Sequence, residues 1–333
     1  MKLQKRLAIG ILVFVLGVTL GVSGLEAQIV FKLAHTQPRV VGAITDFGAL
    51  KFAEIVRTKT QGRAIVDVFP GGALGGEREA MEAVAMGTVD MTLVTTSVAS
   101  IWAPRMMVLD MPYLFTKRDH TYKTLDGPIG TEVAKDLESK GMTLLAYYEL
   151  GYRGILQNKR PIEKPEDMAG VKVRVMQNPV LLDTINSIGG QATPMPIGEV
   201  FSAIQTGVLD GCVQDPISVT TFSFQDVTKY FSYTFHEYGS SCIVMNNRSL
   251  GKLSAEDQKA IRQAAIEAST IQRNEAEKLT NRSLDVMAKK MQINYPKNLE
   301  PFKEKVKPLY EKYGKKGNVM ELINQIIEEG KKY

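Results

Sequence analysis

The order of apolar and polar positions in the first part of the chain predicts strands alternating with helices. A strand is expected over Ile29 to Ala34, a helix from roughly Ala43 to Lys59, and a second strand around Ala64 to Phe69, followed by a turn at Pro70-Gly71-Gly72. A helix over Glu77 to Met86 and a strand over Asp90 to Val94 complete a βαβαβ opening, the pattern of a mostly parallel sheet. Further on, the apolar residues of Val171 to Val175 alternate with Lys172 and Arg174, the period of a half-buried strand. Asn178 and Pro179 then supply a helix N-cap and a first-turn proline, and Gly189 and Gly190 end that helix. Arg174 therefore stands near the carboxyl end of a strand, where open α/β sheets bind ligands, and close to a helix N-terminus that favours an anion. A carboxylate would be held from two directions. The same Lys172–Arg174 face also fits a solvated edge, and the strand pattern alone does not separate the two readings.

Two longer-range features follow. Ala83 to Asp90 echoes Ala203 to Asp210: each reads as a helix ending at glycine with a new strand after aspartate, which suits two lobes of similar build. From Lys252 to Asn294 there is neither glycine nor proline, and Ser254-Ala255-Glu256-Asp257 is a capping box at the start. Two helices with a kink would satisfy this stretch. We expect one helix laid across two lobes, about 50 Å or more in length at 1.5 Å per residue.

The chain has 333 residues, 44% hydrophobic and 23% charged, enough for two domains and unlike a disordered or collagen-like sequence. Lys2, Lys5 and Arg6 precede an apolar run from Leu7 to Val22, so residues 1–27 read as a signal peptide cleaved after Ala27. No later apolar run is long enough to span a bilayer. Removing that segment takes the net charge from +5 to about +3, and the lysines are dispersed, so no nucleic-acid partner is expected. The only cysteines, Cys212 and Cys242, could pair in an oxidising compartment or remain buried thiols. Three histidines, with no CxxC, HExxH, P-loop or GxSxG spacing, give no support for an enzyme, a metal site or a cofactor.

The motifs FKLAHTQP, VFPGGALGGERE at 68 to 79, AVAMGTVDM, LDMPYLF at 109 to 115, GYRGILQNKRPI at 151 to 162, KPEDMAGVKVRV at 164 to 175 and TPMPIGEVFSAIQTGVLDG at 193 to 211 occur in this order over nearly the whole mature chain. In them the sequence resembles the substrate-binding proteins of tripartite ATP-independent periplasmic (TRAP) transporters, of the DctP type. The resemblance implies an α/β, two-lobed periplasmic-binding-protein clamshell with mixed sheets and a long helix spanning both lobes. Lobe I would comprise 28–150 plus about 240–278, and lobe II 151–239 plus about 279–333. It further implies an exported, periplasmic and monomeric receptor that closes on a small organic acid and delivers it to an ion-driven permease of small and large subunits. A receptor of an ABC-type importer or of a sensory system needs the same clamshell and is the alternative.

By the same resemblance Arg174 is the carboxylate clamp and Arg153 a second polar contact. Thr36, Glu77, Thr95, Gln177 and Gln214 would line the cleft, Ile197 takes a place where an aromatic is common, and Tyr238 and Ser241 lie on a hinge strand returning to the first lobe. The chain departs from the frequent DGxEN pattern, with Cys212-Val213-Gln214 after Asp210-Gly211. That leaves open whether the acid is a dicarboxylate, a keto or hydroxy acid, an aromatic acid or a sugar acid.

Overall fold

The computed structural model describes residues 28–333. The expected signal segment, residues 1–27, lies outside the described residues. The first five elements fall where the pattern put them: β1 at Ile29–Ala34, a helix at Ile44–Lys59, β2 at Ala64–Phe69, a helix at Glu77–Met86 and β3 at Met91–Thr95. The remaining strands are β4 (Met142–Tyr152), β5 (Gly154–Gln157), β6 (Lys172–Val175), β7 (Gln191–Pro194), β8 (Gly211–Gln214), β9 (Tyr230–Ser232), β10 (Tyr238–Asn246) and β11 (Gln292–Asn294).

Among the described residues these strands form two mixed sheets, one five-stranded in the order β2-β1-β3-β10-β4 and one six-stranded in the order β11-β9-β5-β8-β6-β7. In the first, β1 pairs parallel with β2 and β3, while β10 runs antiparallel between β3 and β4. In the second, β6 lies parallel to both β7 and β8, and β5 runs antiparallel to β8 and β9. The fold is thus two α/β lobes. The chain crosses between the sheets at Arg153, between β4 and β5, and again from Tyr233 to Glu237, between β9 and β10. The main-chain N–H of Arg153 donates to the carbonyl of Glu237 at 2.9 Å, tying the two crossings together.

The glycine- and proline-free stretch is one helix of 33 residues, Ala255–Met287, with Ser254 as N-cap accepting from the Asp257 N–H. At 1.5 Å per residue it is about 50 Å long. Its first half buries Ile261, Ala264, Ala265 and Ala268 against the first sheet's core. Ala276 then meets Ile44, Leu150 and Ile217, and Met287 enters the core beneath the second sheet. The buried positions keep a three- and four-residue spacing along the rod, with Gln272, Thr280 and Ser283 as polar members of the buried stripe.

The echo is also structural. Gly87 and Gly207 both end their helices with positive φ, 81° and 75°, a conformation open to glycine without steric cost. Asp90 and Asp210 then each accept a bond from the main chain of the parallel neighbouring strand, at Lys32 and Lys172 respectively. Cys212 and Cys242 are free and buried, one in each sheet.

Candidate ligand-binding cleft

Arg174 is the third residue of β6, an interior strand flanked by β7 and β8. The strand passes from exposed Lys172 to buried Arg174, which is 3% exposed, so this is no solvated edge. Its Nε donates to the carbonyl of Met195 at 2.8 Å. Among the described residues its two terminal nitrogens have no hydrogen-bond partner, and they face the space between the sheets. Burial, opposed by nearby acidic groups and reinforced by the Arg153 guanidinium, lowers its pKa to about 10, so it stays a cation at neutral pH.

The helix N-terminus expected to share the anion is capped by its own side chain. Asn178 caps it with its own Oδ1, accepting from the N–H groups of Val180 and Leu181, and its amide donates to Ser97 O, Ser100 Oγ and Asp110 Oδ2. Those partners belong to the segment after β3. The cap therefore satisfies the helix and ties it to the neighbouring segment.

Arg153 sits at the first crossing, 2% exposed. Its Nη1 donates to Gln214 Oε1 at 2.9 Å, and its Nε lies 3.2 Å from Glu237 Oε1, close enough for an ion pair but too bent for a hydrogen bond. Gly239 makes room for it: a Cβ there would fall 2.7 Å from Nε. Burial pushes the Glu237 carboxyl upward, opposed by Arg153. Burial, and then Glu237, raises neighbouring Asp110 to about 8. Burial holds His236 neutral, at about 3.

Glu77, the first residue of its helix, turns its carboxylate toward the cleft. Its Oε1 accepts from the Thr95 N–H at 3.1 Å and its Oε2 from Thr95 Oγ1 at 2.7 Å. Burial raises its pKa, against the pull of the Thr95 bonds and of Arg174 and Arg153.

An inner cavity of about 40 Å³ is walled by Thr36, Gln37, Thr45, Glu77, Leu93, Thr95, Leu150, Arg153, Arg174, Met176, Ile197, Gln214, Ser218, Phe222 and Ser241. It adjoins an outer chamber of about 430 Å³ that shares Thr36, Glu77, Arg174, Met176 and Ile197 and adds Gly71, Gly72, Gly75, Gly76, Gln177 and Met195. The structure thus brings Thr36, Glu77, Thr95, Arg153, Arg174, Ile197, Gln214 and Ser241 together and places Gln177 at the mouth. Tyr238 stands outside the cleft lining. Its ring packs edge-on against Tyr152 at 4.9 Å and Phe115 at 6.1 Å, because side chains of successive residues point to opposite faces of a strand, and Tyr238 falls on the face turned from the cleft.

Gln37, Thr45, Leu93, Leu150, Met176, Ser218 and Phe222 were not anticipated. Gln37 adjoins Thr36, and Ser218 lies in the helix opened by Asp215, so proximity in sequence to known positions was the available signal. A cavity of about 470 Å³ lies elsewhere, between the long helix, β4 and the 128–134 helix. Of its two guanidiniums, Arg273 is already bound to Asp126 and to the Tyr147 carbonyl and Arg262 is exposed, whereas Arg174 in the cleft is buried and keeps open donors. We therefore take the cleft as the ligand site. Among the described residues no group of three metal-ligating side chains gathers, and no helix is long and apolar enough to cross a membrane.

Comparison with known proteins agrees with this geometry. A family model described as bacterial extracellular solute-binding protein, family 7 (DctP), matches residues 42–316. A TRAP periplasmic solute-binding protein of Polaromonas sp. JS666, solved bound to D-erythronate, is 33% identical, with 90% of this chain and 98% of that chain covered and a TM-score of 0.87. A TRAP periplasmic solute-binding protein of Chromohalobacter salexigens, solved with bound D-glucuronate, is 29% identical with a TM-score of 0.86, over 90% of this chain and 99% of that one. The 2,3-diketo-L-gulonate-binding periplasmic protein YiaO of Escherichia coli K12 is 33% identical over 68% of this chain and 69% of its own. The chain belongs to the DctP family of bacterial extracellular solute-binding proteins, the solute receptors of TRAP transporters.

Proposed function

We propose that this protein is an exported, periplasmic receptor that closes its two lobes on a small organic acid, held by the Arg174 guanidinium, and hands the acid to the small and large permease subunits of a TRAP transporter. The observation that carries the reading is Arg174 itself: a buried cation, oriented by Met195, with both terminal nitrogens open to the cleft. A guanidinium can hold a carboxylate through two parallel bonds. Charge-assisted bonds contribute about 1.5–3 kcal/mol each, whereas micromolar binding needs about 8 kcal/mol, so contacts from both lobes must supply the remainder. Thr36, Glu77, Thr95 and Ser241 on the first-sheet side, and Arg153, Gln177, Ile197 and Gln214 on the other, are the contacts we assign.

In this reading lobe I comprises 28–150 and about 240–278, and lobe II comprises 151–239 and about 279–333. Support comes from the sheets: β1 to β4 and β10 share one, β5 to β9 and β11 the other. Residues 1–27 act as the cleaved export signal, and the receptor works as a monomer.

Thermal unfolding of residues 28–333 against a library of organic acids tests the proposal. Stabilisation should reach about 2.7 kcal/mol at a hundredfold excess over the dissociation constant. A carboxylate that stabilises the wild type but leaves Arg174→Ala unmoved is the expected result. Equal stabilisation of both proteins would remove Arg174 from the site.

A further inference from the structure

The cleft holds charges of both signs, and only part of each is open to a ligand. Arg153 is engaged by the protein, through Nη1 to Gln214 and through the ion pair with Glu237. Arg78, at the rim of the outer chamber, is paired with Glu82. Among the described residues that wall the inner cavity, Arg174 is the guanidinium with both terminal nitrogens unengaged, since Arg153 Nη1 bonds Gln214 and its Nη2 meets Met176 Sδ. One free guanidinium matches one carboxylate.

Glu77 shares the same inner cavity. Each of its carboxylate oxygens accepts one bond, both from Thr95, and a carboxylate oxygen accommodates about two. Each thus keeps room for a further donor. A ligand without a donor at that place would leave a partly buried acceptor desolvated and unpaired, which is how sites built around a hydroxyl reject analogues lacking one. A ligand bearing a second carboxylate there would face like charge. The rest of the inner wall is rich in neutral hydroxyls and amides, Thr36, Gln37, Thr45, Ser218 and Ser241, suited to a ligand with several hydroxyl groups.

We propose that Glu77 sets the class of acid this receptor takes: a hydroxylated monocarboxylate, its carboxylate on Arg174 and a hydroxyl donating to Glu77, with dicarboxylates excluded. This rests on the cleft being an acid-receptor site. The outer chamber, about 430 Å³ and sharing Glu77, Arg174, Met176 and Ile197 with the inner one, leaves space for a carbon chain longer than four atoms.

The test is calorimetric titration of the mature protein with four four-carbon acids matched in size: erythronate, butanoate, succinate and 4-aminobutanoate, with glucuronate as a longer hydroxylated acid. The wild type should bind erythronate or glucuronate at least about tenfold more tightly than butanoate or succinate, while 4-aminobutanoate, whose ammonium would also donate to Glu77, is the arm that separates a hydroxyl from an amino donor. Glu77→Gln should lower affinity for the hydroxylated acid by about tenfold or more and narrow the gap to succinate. The wild-type series needs no variant to fold, and melting curves establish that the variant does. If the acids bind through Arg174 but succinate, butanoate or the amino acid matches the hydroxylated acids, or Glu77→Gln changes nothing, this inference is overturned while the receptor reading stands. If none of the five acids binds the wild type at millimolar concentration, the inference is overturned as well; the receptor reading then stands or falls on the wider acid library.

Discussion

Individual side chains at the cleft are placed by contacts that fix direction as much as energy. Met195 holds Arg174 by Nε alone, so the fork of the guanidinium points outward. Arg153 is held by Gln214 and Glu237, and Gly239 leaves it the volume it occupies. Gly239→Ala would put a methyl group 2.7 Å from Nε and 2.9 Å from Nη2, so the buried guanidinium must shift from its place beside Glu237. We expect it to cost about 1–3 kcal/mol of stability by overpacking and to weaken acid binding about tenfold, as read by calorimetry and thermal melts. Binding unchanged in a folded variant would show that Arg153 has no part in the site. Arg174 was legible in the sequence because strand period and motif agree on it. The partner of Arg153 was not, since Glu237 lies 84 positions away in the chain and meets it only where two crossings run side by side.

Secondary-structure elements were the most legible level, because caps and stops are local. The Asn178 cap was read from its own residue type, and the structure adds what sequence could not, its amide bonds to Ser97, Ser100 and Asp110. Asn178→Ala should therefore cost more than the roughly 1 kcal/mol of a lost cap, about 2–4 kcal/mol in denaturant unfolding, since Asp110 also loses a buried donor. Asn178→Asp keeps the cap but not the donor; recovery of full stability in that variant would show the cross-packing bonds to be idle.

The long helix has a second anchor beside its Ser254 cap. Arg63 donates to both carboxylate oxygens of Asp257, at 3.0 Å and 2.6 Å. The Arg63 bonds hold the Asp257 pKa below its ordinary value, against a smaller effect of burial. A carboxyl depressed in the folded state contributes stability above its unfolded pKa, near 3.9, and loses it as pH falls through the folded pKa. Asp257→Asn should accordingly cost about 1.5–3 kcal/mol at pH 7. The gap should shrink as the pH is lowered below about 4. Unfolding curves at both ends of that range check it, and a pH-independent gap would assign the loss to packing.

For the molecule as a whole, two chain crossings and one helix join the sheets, and Gln37 donates across the cleft to Ser218 at 3.4 Å. That distance is at the weak limit of a hydrogen bond; the Asn178 bonds to Ser97, Ser100 and Asp110 tie the lobes more firmly. A ligand can shift an open–closed equilibrium only through better contacts in the closed form. We expect small-angle scattering to show compaction of the mature protein on adding a bound acid, and none with Arg174→Ala. Identical scattering profiles with and without bound acid would argue against lobe closure.

The sequence by itself determined the elements, the continuous helix and the identity of Arg174, because capping, periodicity and glycine stops act within a few residues. Only the tertiary structure decided which groups face the cleft. It turned Tyr238 away into an aromatic cluster, bonded the Asn178 amide to Ser97, Ser100 and Asp110, brought in Gln37 and Ser218, and left Cys212 and Cys242 as separate thiols. These outcomes depend on how two sheets lie against each other, and that relation is set by packing between residues far apart in the chain.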